Sequence, residues 1–175
     1  MVMKQWYAMR VKPHKESFVL GQLQAQAVEV YFPAVRVKPV NPRSAKIRPF
    51  FPGYLFVQFD LEQEGVDAYR WLPGVYGLVT FGGVPAVVQE GLIGDLRRRL
   101  QQIEAAGGLA RAGLKKVDRV QTVAGPLAGY EAIFDAQLSG EERVQVLLAF
   151  LSAQPQPVKL DATDIRKVEK RDPPT

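Results

Sequence analysis

The chain has no cysteine and a single histidine, His14. Without cysteine there is no disulfide, no thiolate nucleophile and no thiolate metal site. One histidine rules out paired-histidine metal centres and leaves little for general acid–base work near neutrality. Long apolar runs are also missing, and none approaches the roughly 18 residues of a membrane span. The start, Met1-Val2-Met3-Lys4-Gln5-Trp6, lacks the apolar core of a secretory signal, so a cytoplasmic protein is expected. There is no Walker loop, no Ser/His/Asp set and no carboxylate pair beside a nucleophile. Gly82-Gly83 is not followed by the lysine of a phosphate cradle. These absences argue against an enzyme and point to a binding protein with no cofactor and no metal.

What is present is ordinary in bulk and uneven in detail. The 175 residues are 47% apolar, which fits one large domain or two small ones. Net charge is +5, and it is concentrated early: residues 1–105 carry 13 basic and 9 acidic side chains, residues 106–175 carry 10 and 9. From Val30 to Arg48 there is no acid, while Arg36, Lys38, Arg43, Lys46 and Arg48 follow one another. Such a stretch is a solvated loop or a phosphate-facing arm. Just beyond it lies the most informative run, Arg48-Pro49-Phe50-Phe51-Pro52-Gly53-Tyr54-Leu55-Phe56-Val57-Gln58-Phe59. A Pro-Gly turn feeds an alternating strand. Tyr54, Phe56 and Gln58 fall on one face, Leu55, Val57 and Phe59 on the other. One face can build a core. The other carries aromatics where a solvated sheet shows polar residues, so it is covered or awaits a partner.

In chain order, residues 5–11 read as a strand and 14–27 as a helix with Phe18, Val19 and Leu23 inward. Residues 28–32 read as a strand, and the aromatic strand follows the basic segment. Residues 61–72 are a short helix stopped by Pro73-Gly74, and 75–81 and 84–88 are strands about Gly82-Gly83. Residues 89–105 form the clearest helix, with Leu92, Leu96, Leu100 and Ile103 on one stripe widened by Ile93, and Arg97, Arg98 and Arg99 outside. Asp95 and Glu104 read as outer-face charges. This order predicts an α+β sandwich, helices over an antiparallel sheet. Three glycines and four alanines then fall within residues 105–113, as in a linker. Residues 117–123, 130–134, 143–151, 158–160 and 165–168 read as five short strands of a small β-barrel. Periodicity alone leaves 144–151 open between strand and helix.

Trp6-Tyr7, Phe51-Pro52-Gly53-Tyr54, Leu72-Pro73-Gly74-Val75, Pro85 before an amphipathic helix, the linker, and Gly125-Pro126-Leu127-Ala128-Gly129-Tyr130 occur in one order. That order, from about Trp6 to Val168, resembles the NusG family of transcription elongation factors. The resemblance implies an N-terminal NGN domain over 1–105, a flexible linker over 106–116 and a five-stranded KOW β-barrel over 117–171, with no enzyme activity. Tyr54-Leu55-Phe56-Val57, Phe81-Gly82, Pro85-Ala86-Val87-Val88 and Tyr130-Glu131-Ala132-Ile133-Phe134 are similar to the specialised RfaH-type paralogues. That likeness implies antitermination of selected operons. The alternatives are a general family member acting with Rho, or a KOW-type RNA- or ribosome-binding protein without polymerase contact.

The resemblance also implies partners and positions. An apolar patch of Tyr54, Phe56, Phe81 and Ile93, supported by Phe51, would dock on the β′ clamp helices of RNA polymerase. Arg10, Lys12 and Lys15 would face the non-template DNA strand near the upstream fork. The KOW domain would engage the ribosome or Rho, and the chain would act as a monomer away from membranes. RfaH-type chains lock a helical C-terminal module over the patch with an acid before the Pro-x-Phe-Pro motif and an Arg in that module. Here those places hold Arg48 and Arg143, two cations that would repel. Val144, Val146 and Phe150 dilute helix-formers. A barrel is therefore expected as the resting form. Glu64-Gly65-Val66-Asp67 replaces the polar loop that reads DNA in RfaH, so no shared DNA element is expected.

Overall fold

The computed structural model describes residues 2–36, 43, 47–108 and 128–154. Its centre is strand β1 (Gln5–Val11). Alternation sends Trp6 and Ala8 to one face and Tyr7, Met9 and Val11 to the other, so each face joins a different core. Strand β2 (Glu29–Tyr31) forms one edge of the sheet. Strands β3 (Ala34–Arg36) and β4 (Ile47–Pro49) pair as a separate ribbon carrying Arg48 opposite Val35. The aromatic strand is β5 (Tyr54–Phe59), antiparallel to β1 along its length from Gln5 opposite Phe59 to Arg10 opposite Tyr54. Strand β6 (Val75–Leu78) pairs with the end of β1. Strands β7 (Thr80–Phe81) and β8 (Val84–Pro85) form a tight hairpin, and β9 (Val87–Val88) returns to β1 beside Trp6 and Tyr7. Gly82 and Gly83, at φ 61° and 79°, supply the left-handed conformations that this hairpin requires. The main sheet is antiparallel throughout, as expected.

Helix α1 (Glu16–Ala25) lies on the face of Tyr7, Met9, Leu55, Val57 and Phe59. Its buried positions are Glu16, Val19 and Leu23. Phe18, expected among them, is 53% exposed. Adjacent helical positions diverge by about 100°, so a stripe through Val19 and Leu23 turns Phe18 outward and brings Glu16 in. Helix α2 is shorter than the expected 61–72: it spans Leu61–Glu64 and stops at Gly65, φ 85°. Turns then carry Ala68 and Leu72 into the core. The strand expected over 75–81 divides between β6 and β7. Helix α3 (Glu90–Ala105) buries Leu92, Ile93, Leu96 and Leu100 against the opposite face of the sheet, as its spacing predicts.

The C-terminal segments correct the sequence reading. Residues 130–134 and 143–151 are not strands: 130–133 belong to helix α4 (Ala128–Ile133), with Phe134 in the turn after it, and 143–151 belong to helix α5 (Gly140–Ala153). The start of α5 has a local cause. Ser139 Oγ accepts from Glu142 N at 3.2 Å, and Glu142 Oε2 accepts from Ser139 N at 2.9 Å, a reciprocal capping box. Arg143, Leu147 and Leu151 then recur every fourth residue as the buried stripe. The two helices form a hairpin against α3 and β5. The other strands expected of the barrel, at 117–123, 158–160 and 165–168, and most of the linker lie outside the described residues.

Candidate functional site

The five residues expected to form a docking patch meet on one face. Phe51, Phe56 and Ile93 are buried; Tyr54 and Phe81 are half-buried; all belong to one apolar cluster. Ring geometry organises it. Phe51 stands edge-on to Phe50 at 5.1 Å and to Phe56 at 6.0 Å, and Tyr31 stacks on Phe56 at 6.4 Å. The same cluster contains Ile133, Phe134, Leu147 and Leu151, with Tyr130, Val144, Val146 and Phe150 at its margin. The aromatic face is therefore occupied, and its occupant is a helical hairpin of the same chain.

The expected repulsion between Arg48 and Arg143 does not decide the arrangement. Arg48 is exposed on β4, while Arg143 turns inward and is buried. Its Nε donates to the Phe50 carbonyl at 2.9 Å, another guanidinium nitrogen donates to the Leu138 carbonyl, and the guanidinium lies 4.1 Å from the Phe50 ring centroid. Burial lowers the Arg143 pKa to about 10, against the opposing influence of Asp135 and Glu142. The group stays charged at neutral pH, held by two carbonyls and a ring where repulsion from Arg48 was expected.

Asp95 and Glu104 also do more than solvate α3. The Tyr130 hydroxyl and Arg98 both reach the Asp95 carboxylate, and Arg36 N donates to Glu104 at 3.3 Å. Arg99 forks onto Glu131 at 2.9 and 3.0 Å and lies 4.6 Å over Phe134. Arg97 caps the inner margin, 5.0 Å from the Tyr31 ring and 5.8 Å from Trp6. Burial pushes the Tyr31 hydroxyl up to about 12, with Arg97 opposing and Glu104 adding to the shift.

The expected nucleic-acid residues are assembled elsewhere. Arg10 is the one exposed position of the largely buried β1, and Lys12 and Lys15 flank the turn into α1; all three side chains are exposed. The turn is fixed by Lys12 N to Gly74 O at 2.8 Å and Lys15 N to Lys12 O at 3.0 Å. Arg10 lies 5.1 Å over the Tyr76 ring and Lys15 5.8 Å from Phe18. Tyr76 also lines an open polar cleft of about 350 Å³ with Asp67, Arg70 and Thr80. Trp71, 69% exposed, adds a further uncovered ring on the same chain segment. Among the described residues no group of three metal-ligating side chains gathers, and no helix is long and apolar enough to cross a membrane.

Sequence reasoning missed Gly140, Glu16 and Tyr130 as contact residues, and gave Arg143 a repulsive contact with Arg48 in place of the Phe50 and Leu138 carbonyls that it meets. Ser139-Gly140-Glu141-Glu142, a capping-box pattern before an apolar run, was the legible signal for α5. Nothing local marks which surface the helix then meets.

Residues 4–97 match the family described as transcription termination factor NusG. Among relatives, the transcription termination/antitermination protein NusG of Deinococcus radiodurans is 23% identical over 93% of this chain and 98% of its own length. Its counterpart in Thermus thermophilus is 26% identical over 83% of each chain, and that of Pasteurella multocida is 25% identical over 87% of this chain and 84% of its own. A solved structure concerned with domain interaction in Thermotoga maritima NusG aligns at TM-score 0.40 and 22% identity over 63% of each chain. These relatives are named for transcription termination and antitermination, not for a catalysed reaction. With more than half of its length matched, and with the sheet and helices described above, the chain belongs to the NusG family of transcription termination/antitermination proteins.

Proposed function

We propose that the aromatic face of β5 and α3 is the docking surface for the β′ clamp helices of RNA polymerase, and that α4 and α5 mask it in the resting chain. One observation carries this reading: the face already seats a helical hairpin, burying Ile133, Leu147 and Leu151 against Phe51, Phe56 and Ile93. A surface shaped for one helix pair suits another. Tyr54, Phe56 and Phe81 bring large area with few rotors to freeze. The occupied face also favours an RfaH-like, operon-specific antiterminator over a general factor, because a masked protein needs a signal before it engages.

Arg10, Lys12 and Lys15 would meet the non-template strand, adding salt-dependent affinity without reading bases. Once released, the C-terminal segment would take the KOW barrel form over 117–171 and recruit the ribosome or Rho. Catalysis stays with the polymerase, which the bound protein biases away from paused states.

Capture of core RNA polymerase by the full chain tests the docking surface. Leu147→Asp, which puts a charge into the masked seam, should increase capture. Adding Tyr54→Ala to that opened chain should reduce capture by about tenfold. Unchanged capture after Tyr54→Ala removes the patch assignment. Occupancy along the genome separates the two family roles: a few operons for the specialised factor, all transcribed genes for the general one.

A further inference from the structure

The start of α5 meets the turn ahead of β5 in two contacts that involve no opposite charge. Gly140, the first residue of α5, lies so close to Pro52 that a Cβ would stand 2.6 Å and 2.8 Å from the ring Cγ and Cδ. Pro52 has little room to retreat. The next residue, Gly53, sits at φ 83°, donates its N–H to the buried Glu16 carboxylate at 2.9 Å and accepts from Val11 N at 2.8 Å. The turn is thus tied to both α1 and β1. One helical turn into α5, Arg143 grips the other end of the same turn through the Phe50 carbonyl and ring.

We propose that these two contacts, Gly140 on Pro52 and Arg143 on Phe50, form the latch that sets how readily the helical hairpin leaves the aromatic face. The latch takes the place of an interdomain ion pair, so its strength is steric and dipolar and nearly independent of salt. The exposed Arg99–Glu131 pair contributes little beside it. A helical partner arriving on Phe51 and Tyr54 meets the latch at the turn it already touches. The consequence for polymerase binding rests on the docking reading above; the latch itself is tested without polymerase.

Amide hydrogen exchange across α5 in the full chain reads the opening. Alanine is the better helix former, so Gly140→Ala alone should slow exchange if α5 were held only by its own propensity. The latch requires the opposite: exchange faster by about tenfold or more, because the new methyl meets the Pro52 ring. Pro52→Ala, at an exposed position, leaves room for that methyl. The double variant Pro52→Ala/Gly140→Ala should therefore exchange within about threefold of Pro52→Ala alone. Arg143→Lys keeps the charge but loses the planar fork, and should speed exchange by about tenfold. Wild-type exchange should change by less than about twofold on moving to about 1 M sodium chloride. Unchanged or slower exchange in Gly140→Ala, or no recovery in the double variant, overturns the steric contact. Protection stripped by salt overturns a latch held without an ion pair. Failure of the faster-exchanging variants to gain polymerase capture, with these exchange results intact, would instead refute the docking reading alone.

Discussion

Single side chains in this protein divide by what they touch, and the magnitudes follow. Phe56 is fully buried between Phe51 and Tyr31. Phe56→Ala should cost ~3–5 kcal/mol by chemical denaturation, because the cavity cannot collapse against a sheet and two helices. Glu16 is legible in the sequence only as a first-turn acid, yet its carboxylate is the acceptor for the buried Gly53 amide. Glu16→Ala strands that amide at a cost of ~1–3 kcal/mol, whereas Glu16→Gln keeps a carbonyl acceptor and should lose less. Asp60 caps α2 by accepting from Glu62 N at 2.9 Å and also takes Met3 N at 3.0 Å. Amide donation, from Met3 above all, holds its carboxyl below the ordinary value of 3.8. A depressed folded pKa means stability that is present above 3.8 and lost as pH falls through the folded value. Acid unfolding of Asp60→Asn, followed by circular dichroism, should therefore be less steep below about pH 4 than that of the parent chain.

Among elements, the C-terminal hairpin is where local pattern and tertiary context disagree. Val144, Val146 and Phe150 are residues a strand accepts, and the alternation they suggest is real. Ser139 and Glu142 set a helix start, and Arg143, Leu147 and Leu151 find an apolar face to fill. Burial then outweighs a propensity difference of a few tenths of a kcal/mol per residue. The energetics of the seam can be read in the same way. Leu147→Ala should lower the opening free energy of α5 by up to ~2–5 kcal/mol, measured by hydrogen exchange. Arg99→Ala breaks an ion pair whose side chains are 40% and 52% exposed, and should cost under about 1 kcal/mol, with even that vanishing in high salt. Equal effects of the two substitutions would mean that charge, not apolar burial, holds the hairpin.

Across the whole molecule, one sheet carries two different surfaces. The face of Tyr7, Met9, Leu55 and Val57 is closed by α1 and belongs to stability. The other, of Trp6, Ala8 and Phe56, is closed partly by α3 and partly by α4 and α5. Helices α4 and α5 follow every described strand in the chain, whereas α1 lies between β1 and β2, so departure of α4 and α5 leaves the order of the strands intact. A chain opened by Gly140→Ala should bind a fluorescent dye for apolar surfaces more strongly than the wild type, while the far-ultraviolet signal of the sheet persists. The basic edge of Arg10, Lys12 and Lys15 remains exposed in the masked chain. Binding of single-stranded oligonucleotide should therefore be similar in closed and opened chains and fall steeply with salt in both.

The sequence by itself determined the antiparallel sheet under helices, the division of β5 into two faces and the α3 stripe. Each follows from alternation, from a 3.6-residue period or from a Pro-Gly turn, all of which are local. Tertiary structure decided what covers the aromatic face, whether 130–134 and 143–151 run as strands or helices, and what a buried Arg143 holds. Those outcomes depend on Arg143 meeting Phe50, and Gly140 meeting Pro52, across some ninety positions of chain. A side chain whose partner is a backbone carbonyl leaves no complementary residue type for the sequence to display.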